Sequence, residues 1–128
     1  AVMVFLSFRF FNLGKKSQKM TPRLGLINGR LLPCGLKSNC ISGSFALKDK
    51  TLLLDRIRYL KNAKIIALAD NYLHATVTSN LFGFVDDLEF YFPPGQPVVY
   101  YRSSSRVGQS DFGQNQMRID LLVTNLSN

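Results

Sequence analysis

"FGFVDDLEFYFPPGQPVVYYRSSSR", residues 82–106, is the stretch that decides the fold. Its first part alternates. Phe82, Phe84, Leu88, Phe90 and Phe92 share one parity, and Val85, Asp87, Glu89 and Tyr91 share the other. Side chains two residues apart on a strand point to the same face, so 82–92 reads as a strand. Proline and glycine in "PPGQP" (93–97) mark a turn. "VVYYRSSSR" (98–106) reads as the next strand, with Val98, Tyr100, Arg102, Ser104 and Arg106 on one face. Asp86 falls within the phenylalanine parity. A carboxylate on an aromatic face is costly unless paired and hydrogen-bonded, and Arg102 or Arg106 on the neighbouring strand is its expected partner. Asp87 and Glu89 share the other face, where they read as solvated charges or as oxygen ligands for a hard cation.

Upstream, "KIIALA" (64–69) and "YLHATVTS" (72–79) read as two strands joined by "DN" at 70–71, a tight-turn dipeptide. His74 lies on the Thr face of the second strand, with no marked partner. "DKTLLLDRIRYLKN" (49–62) has Leu53, Ile57 and Leu60 on one helical face, with Asp49 or Thr51 to cap its start. The chain closes with a predicted helix from about Gln114 to Leu126, with Met117, Leu121 and Leu122 on its apolar side. The expected fold class is α+β, a four-stranded antiparallel meander flanked by an N-terminal and a C-terminal helix. Residues 14–47 show no sustained period and read as an irregular linker, ordered near the cysteines. Residues 32–128 form the expected single domain, and 1–31 an apolar start with a basic linker.

The 128 residues amount to one domain. An apolar fraction of 46% and an aromatic fraction of 12% exclude a disordered chain. No fixed period argues for a solenoid. The net charge of +8 is uneven, because only Asp49 and Asp55 offset the basic residues of positions 1–64. Residues 1–13 are apolar except for Ser7, Arg9 and Asn12, too short for a membrane span of about 20 residues. They fit the tail of a span or signal, a short strand, or an interfacial helix. The absence of Met at the start is expected of a processed or truncated product. Lys15, Lys16, Lys19 and Arg23 follow at once, as basic residues follow membrane segments, and make an anionic membrane surface an expected partner. Nucleic acid fits less well, because these basic residues lack interleaved aromatics.

Cys34 and Cys40 are the chain's two cysteines. With one histidine in the chain, a metal site is not expected. A disulfide would close a short loop and fit an exported domain; two buried free thiols are the alternative.

Three motifs in order carry a resemblance: "CGLKSNCISG" (34–43), "SNLFGFVDDLEF" (79–90) and "RSSSRVGQSDFGQNQMR" (102–118). Over roughly residues 32–126 the chain resembles the bacterial and plastid proteins grouped as domain of unknown function 1499. Gly35, Gly43 and Gln116 depart from that pattern, and Gln116 removes one positive charge near the polar loop. The resemblance implies an exported or membrane-anchored protein and brings no assigned activity.

The polar loop offers the chemistry. Gly108 and Gly113 permit turns. Ser110 or Asp111 can accept backbone N–H groups at the start of the closing helix, and Asn115 and Arg118 stand one turn apart on it. Asp86, Arg102, Ser104, Arg106, Ser110, Asp111, Asn115 and Arg118 together form a candidate anion site for phosphate, sulfate or a lipid headgroup. Ser103, Ser104, Ser105 and His74 do not make a convincing hydrolase, for no G-x-S-x-G elbow is present. No cofactor is expected. The expected function is an envelope-associated binding or assembly module, as an accessory subunit of a membrane complex. The alternative is an anionic-ligand or enzymatic domain built on Asp86, Arg102, Arg106 and Asp111.

Overall fold

The computed structural model describes residues 2–36, 38–108 and 113–124. The chain runs through α1 (Val2–Lys19), β1 (Leu26–Ile27), β2 (Arg30–Leu31), β3 (Cys40–Ala46), α2 (Lys50–Tyr59), β4 (Ala63–Leu68), β5 (Tyr72–Thr78), β6 (Val85–Tyr91), β7 (Val98–Ser105) and α3 (Gln114–Val123). The fold is α+β, and the main sheet has five antiparallel strands in the order β3-β7-β6-β5-β4. The four expected strands are all present, as β4 to β7. The fifth, β3, joins the edge beside β7, with Cys40 opposite Ser104 and Ala46 opposite Val98. Its sequence, "CISGSFA", hid it. Gly43, Ser42 and Ser44 are poor strand formers, and its partner lies far along the chain.

The meander follows from its turns and its apolar parity. Ala69 N–H donates to the Tyr72 carbonyl (2.8 Å) across the predicted "DN" turn. Gly95, with φ +73°, closes the proline-rich turn between β6 and β7, a conformation that glycine adopts without a Cβ clash. Helices α2 and α3 pack on one face of the sheet. Leu53 and Ile57 of α2 and Ile119 and Leu122 of α3 meet Leu73, Ala75, Leu88, Phe90 and Val99 of the strands in one core. Asp49 caps α2: its Oδ1 accepts the Thr51 N–H (2.9 Å) and hydroxyl (2.7 Å).

The inward face of α3 differs from the predicted one. Asn115, Ile119 and Leu122 are buried, whereas Met117 and Leu121 stand 63% and 66% exposed. Asn115 takes an inward place because a hydrogen-bonded pocket receives it. An amide on the buried stripe is invisible to a search for apolar residues.

The second face of the sheet is covered as well, by the segment read as a linker. Residues 14–31 continue α1 to Lys19 and then fold into the β1–β2 ribbon. Asn28 and Gly29 turn that ribbon, both at positive φ (53° and 74°), the pattern of a two-residue hairpin turn. The Sγ atoms of Cys34 and Cys40 lie at bonding distance, 2.11 Å, with Cα atoms 5.4 Å apart. The pair ties the end of the ribbon to the start of β3. No helix among the described residues is long and apolar enough to cross a membrane.

Candidate functional site

On β6 the alternation divides the acidic trio. Asp86 is on the face of Leu88 and Phe90, beneath α3. Asp87 and Glu89 are on the face that the ribbon covers. In register, Asp86 lies opposite Ser105, Asp87 opposite Ser104 and Glu89 opposite Arg102. Antiparallel partners share a face, so Asp86 faces the same way as Ser103 and Ser105, and away from Arg102 and Arg106. The expected pairing of Asp86 with one of those arginines is therefore corrected. Its partner is Arg118 of α3, whose Nη1 lies 3.0 Å from Asp86 Oδ2.

Beneath α3 the polar contacts form one joint. Arg118 Nη1 also donates to Asn115 Oδ1 (3.2 Å), which accepts the Ser103 hydroxyl as well. Asn115 Nδ2 donates to the Asn39 carbonyl (3.3 Å) and to Ser105 Oγ (3.2 Å). Asn39 Nδ2 in turn donates to the Gly108 carbonyl (2.6 Å). Asn39, the residue before Cys40, thus bonds the loop after β7 directly, and buried Asn115 ties Asn39 to the end of β7. Gly113 precedes α3 at φ +78°. Ser110 and Asp111, the expected acceptors there, lie outside the described residues.

The ribbon face carries two further ion pairs. Asp87 is 1% exposed, not solvated as expected. Arg106 grips it with Nε on Oδ2 (2.8 Å) and Nη2 on Oδ1 (3.0 Å), a fork geometry that suits a carboxylate. His74 Nε2 lies 2.8 Å from Asp87 Oδ1, so the histidine has a partner after all. Burial pushes the Asp87 carboxyl up, but the hydrogen bonds from His74 and Arg106, with their charges, hold it below the ordinary carboxylate value. The bond to Asp87 likewise raises Arg106.

Glu89 is fully buried. It accepts the Tyr72 hydroxyl (2.6 Å), the Gly25 N–H (2.8 Å) and Arg102 Nη1 (3.5 Å). Burial, then the bond to Glu89, drives the Tyr72 phenol well above its ordinary value. Arg102 Nη1 also donates to Ser104 Oγ (3.1 Å). A hard cation at Asp87 and Glu89 would sit beside the guanidiniums of Arg102 and Arg106 and be repelled.

The N-terminal segment buttresses this face. Ser17 Oγ donates to the Gly14 carbonyl (2.6 Å) and accepts the Val85 N–H (3.1 Å). Arg106 Nη1 reaches past Asp87 to the carbonyls of Ser17 (3.1 Å) and Met20 (3.2 Å). Gly14 lies flush on the loop before β6, where a Cβ would come within 1.6 Å of the Phe82 carbonyl oxygen. Ser17, Tyr72, Asn39 and Gly14 were not legible as site residues. Only Tyr72 gave a signal, by sharing its face with His74. The departure at Gln116 lies outside both networks: its Nε2 donates to Asp120 on the exposed side of α3 (2.9 Å).

The three arginines of the polar loop and the three carboxylates of β6 thus pair one to one: Arg118 with Asp86, Arg106 with Asp87, and Arg102 with Glu89. Fold and site together define an α+β domain whose two longest polar motifs form its internal ionic framework. The family model described as "Protein of unknown function (DUF1499)" matches residues 46–126. That is well over half of the chain, and the chain belongs to this family. No curated protein matches it.

Proposed function

We propose that this domain is an envelope-associated docking and assembly module that α1 holds against an anionic membrane surface. The observation that carries the reading is the way α1 is mounted. Its inner face, Gly14 and Ser17, is fixed to the sheet by the contacts above. Phe10 and Phe11 pack on Phe82 with ring centroids 5.3 and 5.1 Å apart, yet both remain over 40% exposed beside exposed Leu81. Lys15, Lys16 and Lys19 are exposed on α1, and Arg23 follows just after it. A helix that presents aromatic edges and a basic face suits the headgroup region of a bilayer. Because α1 is fixed to the sheet, docking the helix would orient the domain. Exposed Met117 and Leu121 of α3 remain for a protein partner in such an assembly.

The alternative, an anionic-ligand or enzymatic site at Asp86, Arg102, Arg106 and Asp111, is supported less well. Asp86 and the two arginines stand on opposite faces of the sheet, and each is engaged in an ion pair. Asp111 lies outside the described residues.

Co-sedimentation with vesicles tests the docking reading. Binding to phosphatidylglycerol–phosphatidylcholine vesicles is expected, with little binding to phosphatidylcholine alone. Reversing Lys15, Lys16 and Lys19 to Glu should weaken it by at least about 100-fold, at roughly 1 kcal/mol per basic residue. Equal binding to both vesicle types, or none to either, would overturn the reading.

A further inference from the structure

We infer that the cleft beside the ribbon is a binding site for a small planar aromatic anion, such as an aryl carboxylate. The cleft encloses about 600 Å³ between the end of β2, strand β3 and the turn joining β6 to β7. That volume is in the range of small-molecule sites, roughly 300–1,000 Å³. It lies on the face that carries Glu89 and Arg102, further along the strands. There the ion pairs give way to aromatics.

Four features set the chemistry of the occupant. Tyr91 and Tyr100 are direct cross-strand partners, with rings stacked at 6.2 Å and 26°. Tyr100 is still 44% exposed. A flat ring can extend that stack, since offset aromatic stacking is favourable beyond mere burial. Leu31 and Pro33 supply an apolar wall. Among the described residues that line the cleft, Arg30 is the one charged side chain, and among the described residues it forms no ion pair. An exposed guanidinium of this kind favours a carboxylate in its planar fork and disfavours a cation. Ser42 and Ser44 present exposed positions of β3 to the cleft, where their hydroxyls can donate to the same anion.

The cysteine pair gives the cleft its shape. Pro33 adjoins Cys34 on one wall, and Ser42 lies two residues beyond Cys40 on the other. The Cys34–Cys40 bond therefore fixes the spacing between the walls. This inference does not rest on the membrane-docking reading, because none of the residues involved belongs to α1.

The test is a titration of the full ¹⁵N-labelled chain, oxidised, with 2-naphthoate, followed by amide chemical shifts. Saturable shifts are expected at Ser42, Ser44, Tyr91 and Tyr100, with a Kd on the order of 0.1–1 mM for a ligand of this size. The neutral 2-naphthalenemethanol should bind about 10-fold more weakly, the loss expected for one charge-assisted contact. Arg30→Gln, at an exposed ribbon position, should bring naphthoate down to the neutral compound's affinity and leave that compound's affinity unchanged. Cyclohexanecarboxylate, charged but not flat, should bind more weakly than naphthoate. Opening the disulfide should weaken naphthoate in a chain whose sheet amides keep their shifts. The inference is overturned by no saturable shift, by shifts confined to other surfaces, or by equal affinity for the charged and neutral compounds.

Discussion

Replacing Arg106 by leucine should be costly, because it takes the forked partner from a buried carboxylate. The side chain closes two bonds on Asp87, at 2.8 and 3.0 Å, and two on the carbonyls of Ser17 and Met20. Asp87 is 1% exposed, so without Arg106 its carboxylate keeps only His74. Breaking a buried pair by removing one partner costs about 3–5 kcal/mol. The two carbonyls add little, because the end of α1 can fray and give them water. For a chain of this length the loss corresponds to a fall in Tm of roughly 10–20 °C. It is a large share of a typical stability of about 5–15 kcal/mol. Urea unfolding of the oxidised protein, followed by circular dichroism, measures it. Arg58→Leu is the internal control: Arg58 faces Asp55 at 3.7 Å, both well exposed, and a surface pair contributes about 1 kcal/mol at most. Arg106→Lys should fall between the two, keeping the charge but losing the fork. If Arg106→Leu cost no more than Arg58→Leu, Asp87 would not be the buried, arginine-dependent carboxylate described above.

Three further outcomes follow from the same contacts. The Asp87 carboxyl is held below its ordinary value in the folded state, so its contribution is fully present above the unfolded value of about 3.9. That contribution is lost as pH falls through the folded value, and Asp87→Asn should flatten the acid limb of stability against pH below about 4. An unchanged acid limb would contradict the assignment. Gly14→Ala should favour the isolated helix by about 0.5–1 kcal/mol, yet a Cβ there meets the Phe82 carbonyl oxygen at 1.6 Å. Overpacking should therefore prevail at about 1–3 kcal/mol, read as lost amide-exchange protection over residues 9–19 with the sheet unaffected; a stabilised variant would refute the docked position of α1. Replacing Cys34 and Cys40 by serine should cost about 2 kcal/mol by the chain-entropy relation for so short a loop, measured as a lower urea midpoint than the oxidised parent; an equal midpoint would show that the bond does not constrain the chain.

What the sequence revealed depends on where each residue's partner lies. Helix α2 was legible because Leu53 and Ile57 repeat at helical spacing, and β4 to β7 because of their strand-like patterning and the marked turns at 70–71 and 93–97. Strand β3 was not, since its hydrogen bonds go to β7, across more than fifty residues, and "CISGSFA" has little strand propensity. The continuation of α1 through "KKSQK" was hidden for a related reason. It docks through Gly14 and Ser17, small residues that approach the backbone closely and leave no apolar stripe. At the site, parity placed Asp86 on the core face correctly but left its partner to register. Opposite Ser105, Asp86 turns its back on Arg102 and Arg106, and only the packing of α3 brings Arg118 to it. The burial of Asp87 and Glu89 was illegible for want of the ribbon that covers them.

The one-to-one pairing bears on why two separated motifs share a chain. The alternation of β6 puts one carboxylate, Asp86, beneath the helices and two, Asp87 and Glu89, beneath the ribbon. No single arginine can reach both faces, so each face needs its own donor. Arg102 and Arg106 lie four residues apart at the end of β7 and point to the ribbon, and Arg118 returns to the other face on α3. A buried carboxylate without its arginine is destabilising by several kcal/mol, so either motif alone is a liability and the two together are a closed set. The same closure leaves these charges engaged within the fold. A binding role therefore falls to other groups, such as the aromatic and basic residues of α1 and the inferred cleft at Arg30, Tyr91 and Tyr100.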